Sequence, residues 1–214
     1  MPHVPARATA NFRLEMNSEY SFTENGNATV KKTVRLTNLT TNVYPSVYYL
    51  DLPEDASDVL AADDSGRIQA TVTYENGSRQ VKVPIKKEIL GQNQSINFVL
   101  TYETRSLAKQ DDPYWIITIP AFSSTEEIGV YSVRIVLPES WGIPPTIQPP
   151  SREQYFWTYE ELMNNPIIIS YVPLLDTPTP TPSSASPVFT VVVGVLLGIS
   201  VFILLYSTGK KFLT

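Results

Sequence analysis

Eight carboxylates of this chain stand in adjacent pairs of like residues, at Asp63-Asp64, Asp111-Asp112, Glu126-Glu127 and Glu160-Glu161. Carboxylate pairs hydrolyse glycosides, but only when the two groups face each other ~5–9 Å apart across a cleft. Adjacency in sequence does not supply that separation, so solvated turn positions are the expectation. Asp63-Asp64-Ser65-Gly66 has the hard oxygens of a calcium loop but only a fragment of its spacing, and no metal ligand is assigned. The single histidine, His3, precedes the first strand, and cysteine is absent. That removes the base and the thiol of Ser-His-Asp and Cys-His centres, together with a His/Cys zinc site. No Gly-rich phosphate loop occurs. The reading is of a chain with no catalytic residue, metal or cofactor of its own.

Aromatic residues are the other candidates for chemistry, here recognition. Tyr48-Tyr49 must point to opposite faces of a strand, and Tyr155-Phe156-Trp157 cannot all be buried on one side. Tyr48, Tyr49, Tyr155 and Trp157 are therefore candidate docking residues for a protein or a sugar, unless they close the ends of the domain.

The elements that must position these residues follow a period of two. Phe12, Leu14, Met16, Tyr20 and Phe22 share one parity, and Glu24-Asn25-Gly26-Asn27 reads as a type I′ hairpin turn. The return strand sets Ala28, Val30, Val34 and Leu36 inward and Thr29, Lys31, Thr33, Arg35 and Thr37 outward. Val43–Leu52 follows, with Pro45 marking an edge. After the Asp63–Gly66 turn, Ile68, Ala70, Val72 and Tyr74 alternate, and Asn76-Gly77 turns into Val81, Val83 and Ile85. Ile96 to Tyr102, Trp115 to Ile119 and Tyr131 to Leu137 continue the series. A helical turn is expected at Thr158–Met163, where Thr158 and Glu161 have capping-box spacing, then a last strand at Ile167–Val172. Eight or nine short strands without a long amphipathic helix predict an all-β, antiparallel β-sandwich over 10–175.

Beyond it, Thr177–Pro187 is a Pro/Thr/Ser stalk, within a linker taken as 176–187, that favours polyproline II. Val188–Tyr206 is an unbroken apolar run of 19 residues without a charge, long enough at ~1.5 Å per residue to cross the ~30 Å hydrocarbon core. Lys210 and Lys211 in the short tail 207–214 place that tail in the cytoplasm and the β domain outside, at a cell membrane. Residues 1–9 contain Ala6-Arg7-Ala8, of signal-peptidase form, without an apolar segment before it; they are read as the remnant of a leader. The alternative is a tail-anchored protein with its domain in the cytosol. Gly194 and Gly198 have the spacing that lets two membrane helices approach, though nothing else calls for a homodimer.

The net charge is −5, and −7 without the two tail lysines, which argues against nucleic acid. Four Asn-x-Ser/Thr sites, Asn27, Asn38, Asn76 and Asn93, are candidate glycan acceptors.

The stretch TVRLTNLTTNVYPSVYYLDLP (Thr33–Pro53), the VLAADDSG turn, PYWIITIPAFSSTEEIGVYSVRIVLPESWG (Pro113–Gly142) and FWTYEELMNNPI resemble the N-terminal β domain of microbial membrane-anchored transglutaminase-like proteins. In style the domain is also similar to the lumenal domain of ribophorin I. The Cys-His-Asp core of the first family has no counterpart here, so the resemblance implies the accessory part alone. The resulting expectation is a non-enzymatic, single-pass surface module that binds or scaffolds a protein or surface polymer. The alternative is an accessory subunit of a membrane enzyme complex handling glycans or protein crosslinks.

Overall fold

The computed structural model describes residues 11–171 apart from 44, 76, 86–90, 112–113, 143, 145, 152 and 163–164. All of these lie within the unit Met1–Leu174. The expected leader, stalk, apolar run and basic tail, with Gly194, Gly198, Lys210 and Lys211, lie outside the described residues. Among the described residues no helix is long and apolar enough to cross a membrane.

The chain is mostly strand. In order these are β1 (Phe12–Phe22), β2 (Ala28–Asn38), β3 (Val47–Asp51), β4 (Ser57–Asp63), β5 (Gly66–Ile68), β6 (Thr71–Glu75), β7 (Ser78–Pro84), β8 (Ser95–Thr104), β9 (Ala108–Asp111), β10 (Tyr114–Ile119), β11 (Glu127–Val136), β12 (Thr146–Gln148), β13 (Phe156–Thr158) and β14 (Ile167–Tyr171). A single helical turn, α1 (Tyr159–Leu162), follows β13. Seven strands make one sheet in the order β13-β11-β1-β2-β8-β4-β5; β12-β14-β10-β9 and β3-β7-β6 make two smaller ones. Pairing is antiparallel except between β1 and β11, which run parallel with Met16 opposite Tyr131. The expectation of a wholly antiparallel arrangement is corrected at that pair. Sequence alternation fixes which side of a strand is apolar, and is silent on the direction of its neighbour.

Period-two burial is followed closely in the long strands. Leu14, Met16, Val30, Val34, Leu36, Leu100 and Val133 are all but fully buried on one face of the large sheet. Burying each such side chain stabilises the fold by ~1.5–3 kcal/mol.

Two local expectations change. The β1–β2 connection is not type I′: Gly26 N–H donates to Thr23 O at 3.0 Å, and of its residues only Gly26 has a positive φ, 76°. Glycine is required there twice over, because a Cβ would lie 2.4 Å from Trp115 Cζ3. The run Ile68–Tyr74 is also not one strand. It breaks after Ile68, so β5 stays with the large sheet while β6 joins the three-stranded one. Tyr74 ends 65% exposed.

The two small sheets pack on the inward face of the large one. Tyr48 of β3 meets Phe98 of β8, ring centroids 5.8 Å apart. At the other end, the 3₁₀ turn Glu139–Trp141 inserts Trp141 between Tyr171 of β14 (4.0 Å, stacked) and Trp115 of β10 (5.9 Å, stacked). Phe22 of β1 closes that cluster at 6.3 Å from Trp141.

Candidate functional site

Between the two small sheets a cleft of about 970 Å³ reaches the inward face of the large sheet. Tyr20, Lys32, Tyr102 and Tyr131 make its floor. β3 and the residues after it, Val47 to Pro53, make one wall, and Pro120 to Glu126 the other. The second wall follows β10 and is pinned by Phe122, which stacks on Tyr131 at 4.3 Å.

Lys32 is the anomaly of this floor. It occupies inward parity on β2, between buried Val30 and Val34, and pairs across the sheet with Ser18 and Leu100. Only its own length brings the ammonium out of the apolar layer toward the cleft. Among the described residues no hydrogen bond or ion pair reaches that ammonium. Burial lowers its pKa from 10.5 to about 8, a fall that attraction from Asp51 on β3 partly offsets. Lys32 is therefore mainly cationic at neutral pH and short of a partner.

Among the described residues, the groups that line the cleft with it include no second cation. Burial raises the pKa of Tyr20 well above its ordinary value, with Tyr102 and Tyr131 adding to the rise. Burial likewise raises Tyr131 to about 12, and Tyr102 further. These phenols stay neutral and can donate or accept hydrogen bonds. On the wall, burial raises Tyr48 to about 12, helped by the nearby Glu126. The Glu126 carboxyl is itself raised by burial, an effect opposed by the hydrogen bond it accepts from the Phe12 backbone.

The β3 wall has a property of its own. β3 is an edge strand of its sheet, as Pro45 implies. Leu52 N–H donates to Arg79 O, and Ile85 N–H to Ser46 O, both at 2.9 Å. Hydrogen-bonded pairs alternate along an antiparallel ladder, so Ser46, Tyr48, Leu50 and Leu52 turn their backbone groups toward β7. Val47, Tyr49 and Asp51 turn theirs to the open side, along the cleft.

Of the residues singled out in the sequence, Tyr48 and Tyr49 line this cleft, Tyr49 being 43% exposed. Tyr155 is half-buried elsewhere, and Trp157 is fully buried, its Nε1–H donating to Pro149 O at 2.9 Å. Among the described residues of the acidic pairs, only Glu126 enters the cleft. Asp63 accepts from Ser65 N–H within its turn at 2.8 Å, Glu127 pairs with Arg13 at 2.6 Å, and Glu161 accepts from Thr158 N–H at 2.8 Å. Among the described residues no three His, Asp or Glu side chains are grouped to hold a metal. Asn27 is half-buried and Asn93 exposed, whereas Asn38 is buried with its amide donating to Val43 O at 2.6 Å. Asn76 lies outside the described residues. Lys32 escaped the sequence reading although its signal was present: a lysine interrupts the inward row Ala28-Val30-Val34-Leu36.

No family model matches the chain, and no curated protein does. Solved structures similar to it include an M1 zinc metallopeptidase from Deinococcus radiodurans (TM-score 0.40, 12% identity, 77% of this chain and 38% of that one). Yeast LTA4 hydrolase is another (0.47, 14%, 80% and 31%). A third is an aminopeptidase N family protein from Idiomarina loihiensis (0.41, 13%, 72% and 29%). The chain spans roughly a third of the length of these proteins. The resemblance to transglutaminase-like and ribophorin I domains is thereby corrected: these solved structures are an M1 zinc metallopeptidase, an LTA4 hydrolase and an aminopeptidase N family protein. The stretches behind it, Thr33–Pro53 and Pro113–Gly142, hold the alternation and proline-marked edges that any half-buried sheet requires, and none of the chemistry that separates one β family from another. The non-catalytic surface-binding module drawn from it, and the accessory-subunit alternative, are set aside with it.

Proposed function

We propose that this chain is a peptidase-related β domain whose cleft receives an extended peptide, aligned along β3. The observation behind this reading is the strand edge: Val47, Tyr49 and Asp51 offer backbone donors and acceptors to a walled cleft. Extended chains bind such edges through main-chain hydrogen bonds, and flanking pockets select alternate side chains. Proteins ordinarily blunt an exposed edge with proline, charge or cover. Here Pro45 and Pro53 bracket β3 and leave Val47–Leu50 open between them. Support comes from this geometry, since the likeness to solved peptidases is too slight to carry chemistry across.

The test is a titration of the full chain in detergent with a hexapeptide of alternating valine and threonine. Tyr49→Pro removes one outward N–H and leaves the bonds to β7 intact, because proline is tolerated on an edge. Saturable binding that Tyr49→Pro weakens at unchanged fold is the expected result. Absence of binding by the parent chain sinks the reading.

We further infer that residues 188–206 hold the chain in a membrane with the β domain outside, supported by the apolar run and by Lys210 and Lys211. A two-layer β-sandwich is the finer description of the fold that goes with this. Protease added to intact cells should remove the domain; a domain that survives until lysis contradicts the orientation.

A further inference from the structure

We infer that Lys32 is the specificity-determining residue of the cleft and takes a carboxylate of the bound peptide, namely the one at its C-terminus. The inference rests on the peptide-binding reading above and names the chemistry that reading leaves open.

Four observations carry it. Lys32 stands on the floor, on a parity that Ala28, Val30, Val34 and Leu36 of β2 give to apolar side chains. A half-buried ammonium is retained at such a place only if something compensates it, and among the described residues nothing does so at contact distance. The phenols of Tyr20, Tyr102 and Tyr131 surround it with neutral hydroxyls, which can donate to the oxygens of an anion. Finally, Asp51 of β3 lines the same cleft as this floor, so a peptide bound along that strand in the mode proposed above would pass beside Lys32.

The charge balance selects the anion. One ammonium faces two acidic walls, Asp51 on the β3 side and Glu126 opposite. A phosphate dianion would meet both carboxylates with no arginine or second lysine among the described residues of the cleft to hold it. A single carboxylate fits one ammonium and the neutral hydroxyls beside it. It can come from the chain end or from an aspartate or glutamate side chain; the end is preferred because a floor closed by tyrosines leaves no path for the chain to continue past Lys32.

Binding should also follow the protonation of Lys32. Among the described residues, the titratable and charged groups lining the cleft with it are Tyr20 from β1, Tyr48, Tyr49 and Asp51 from β3, Tyr102 from β8, Tyr131 from β11 and Glu126 from the opposite wall. Burial keeps the phenols of Tyr20, Tyr48, Tyr102 and Tyr131 neutral through the range in which the lysine loses its proton, so affinity for the carboxylate falls as pH rises through about 8.

The experiment compares three hexapeptides on the full chain in detergent: free acid, C-terminal amide, and amide with one internal glutamate. Each is titrated against the parent, Lys32→Met and Lys32→Arg. The parent is expected to prefer the free acid over the amide by roughly tenfold or more, as for a hydrogen bond to a charged group. Lys32→Met should erase that preference while still binding the amide, and Lys32→Arg should restore it. Equal binding of acid and amide by the parent overturns the role of Lys32 and leaves the strand-edge reading standing. Recovery of affinity by the internal glutamate overturns the terminal assignment in favour of a side-chain carboxylate. No binding of any peptide removes the cleft reading itself, and this inference with it. Backbone amide spectra of both variants control for the fold.

Discussion

The inward face of one sheet is used in two ways. At the end closed by the four-stranded sheet, Trp141 is stacked between Trp115 and Tyr171 with Phe22 beside it. The packing is so close that Gly26 has no room for a methyl group. Toward β3 the same face carries tyrosines and a lysine, and stays open over about 970 Å³. Each half holds a polar group short of a partner: the Tyr171 hydroxyl, buried with none among the described residues, and the Lys32 ammonium. Their settings differ. The phenol is sealed in aromatic packing, where an unmade hydrogen bond is only a loss, while the lysine faces a space large enough for a ligand. Apolar completeness marks the half that holds the fold together, and its interruption marks the half available for chemistry.

Breaking the closed half should have the largest effect. Trp141→Ala removes the middle of the stack and is expected to destabilise the domain by about 3–5 kcal/mol, read by denaturant unfolding. Lys32→Met should do the opposite, stabilising by about 1–3 kcal/mol because it exchanges a half-buried charge for an apolar chain of similar length. At ~2–4 °C per kcal/mol for a domain of this size, the shift is visible in a thermal melt. The sign of its pH dependence follows from the lowered pKa. Between about 8 and 10.5 the unfolded chain still binds a proton that the folded chain has shed, so parent stability rises with pH across that window. Lys32→Met should flatten the rise. Tyr171→Phe removes the unsatisfied hydroxyl and should stabilise by about 1 kcal/mol, with cleft binding unchanged. Smallest in stability is Tyr49→Ala, within about 0.5 kcal/mol since the side chain is 43% exposed, yet it should weaken peptide binding. A destabilising Lys32→Met would break the comparison, because it would make the lysine part of the scaffold.

Much of the scaffold was legible from side chains one at a time. Parity placed Leu14, Val30, Phe98 and Ile135 inward, Pro45 marked the β3 edge, and Thr158 with Glu161 marked α1, where the Thr158 N–H does reach the Glu161 carboxylate. What parity could not reach was partnership. The parallel β1–β11 pair joins residues more than a hundred positions apart, and nothing in either strand's alternation encodes the direction of the other. The break after Ile68 followed from a change of sheet that the smooth pattern Ile68-Ala70-Val72-Tyr74 concealed. The cleft was invisible because its two walls come from distant loops. Its floor was half visible, for the lysine in an otherwise apolar row could have been read from β2 alone.

The claim that a peptide lies along β3 is tested most directly by amide hydrogen exchange of the full chain with and without the free-acid hexapeptide. The account predicts new protection at Val47, Tyr49 and Asp51, whose N–H groups face the cleft, and little change at Tyr48, Leu50 and Leu52, already bonded to β7. Protection that spares β3, or that falls evenly on both sets of residues, would contradict it.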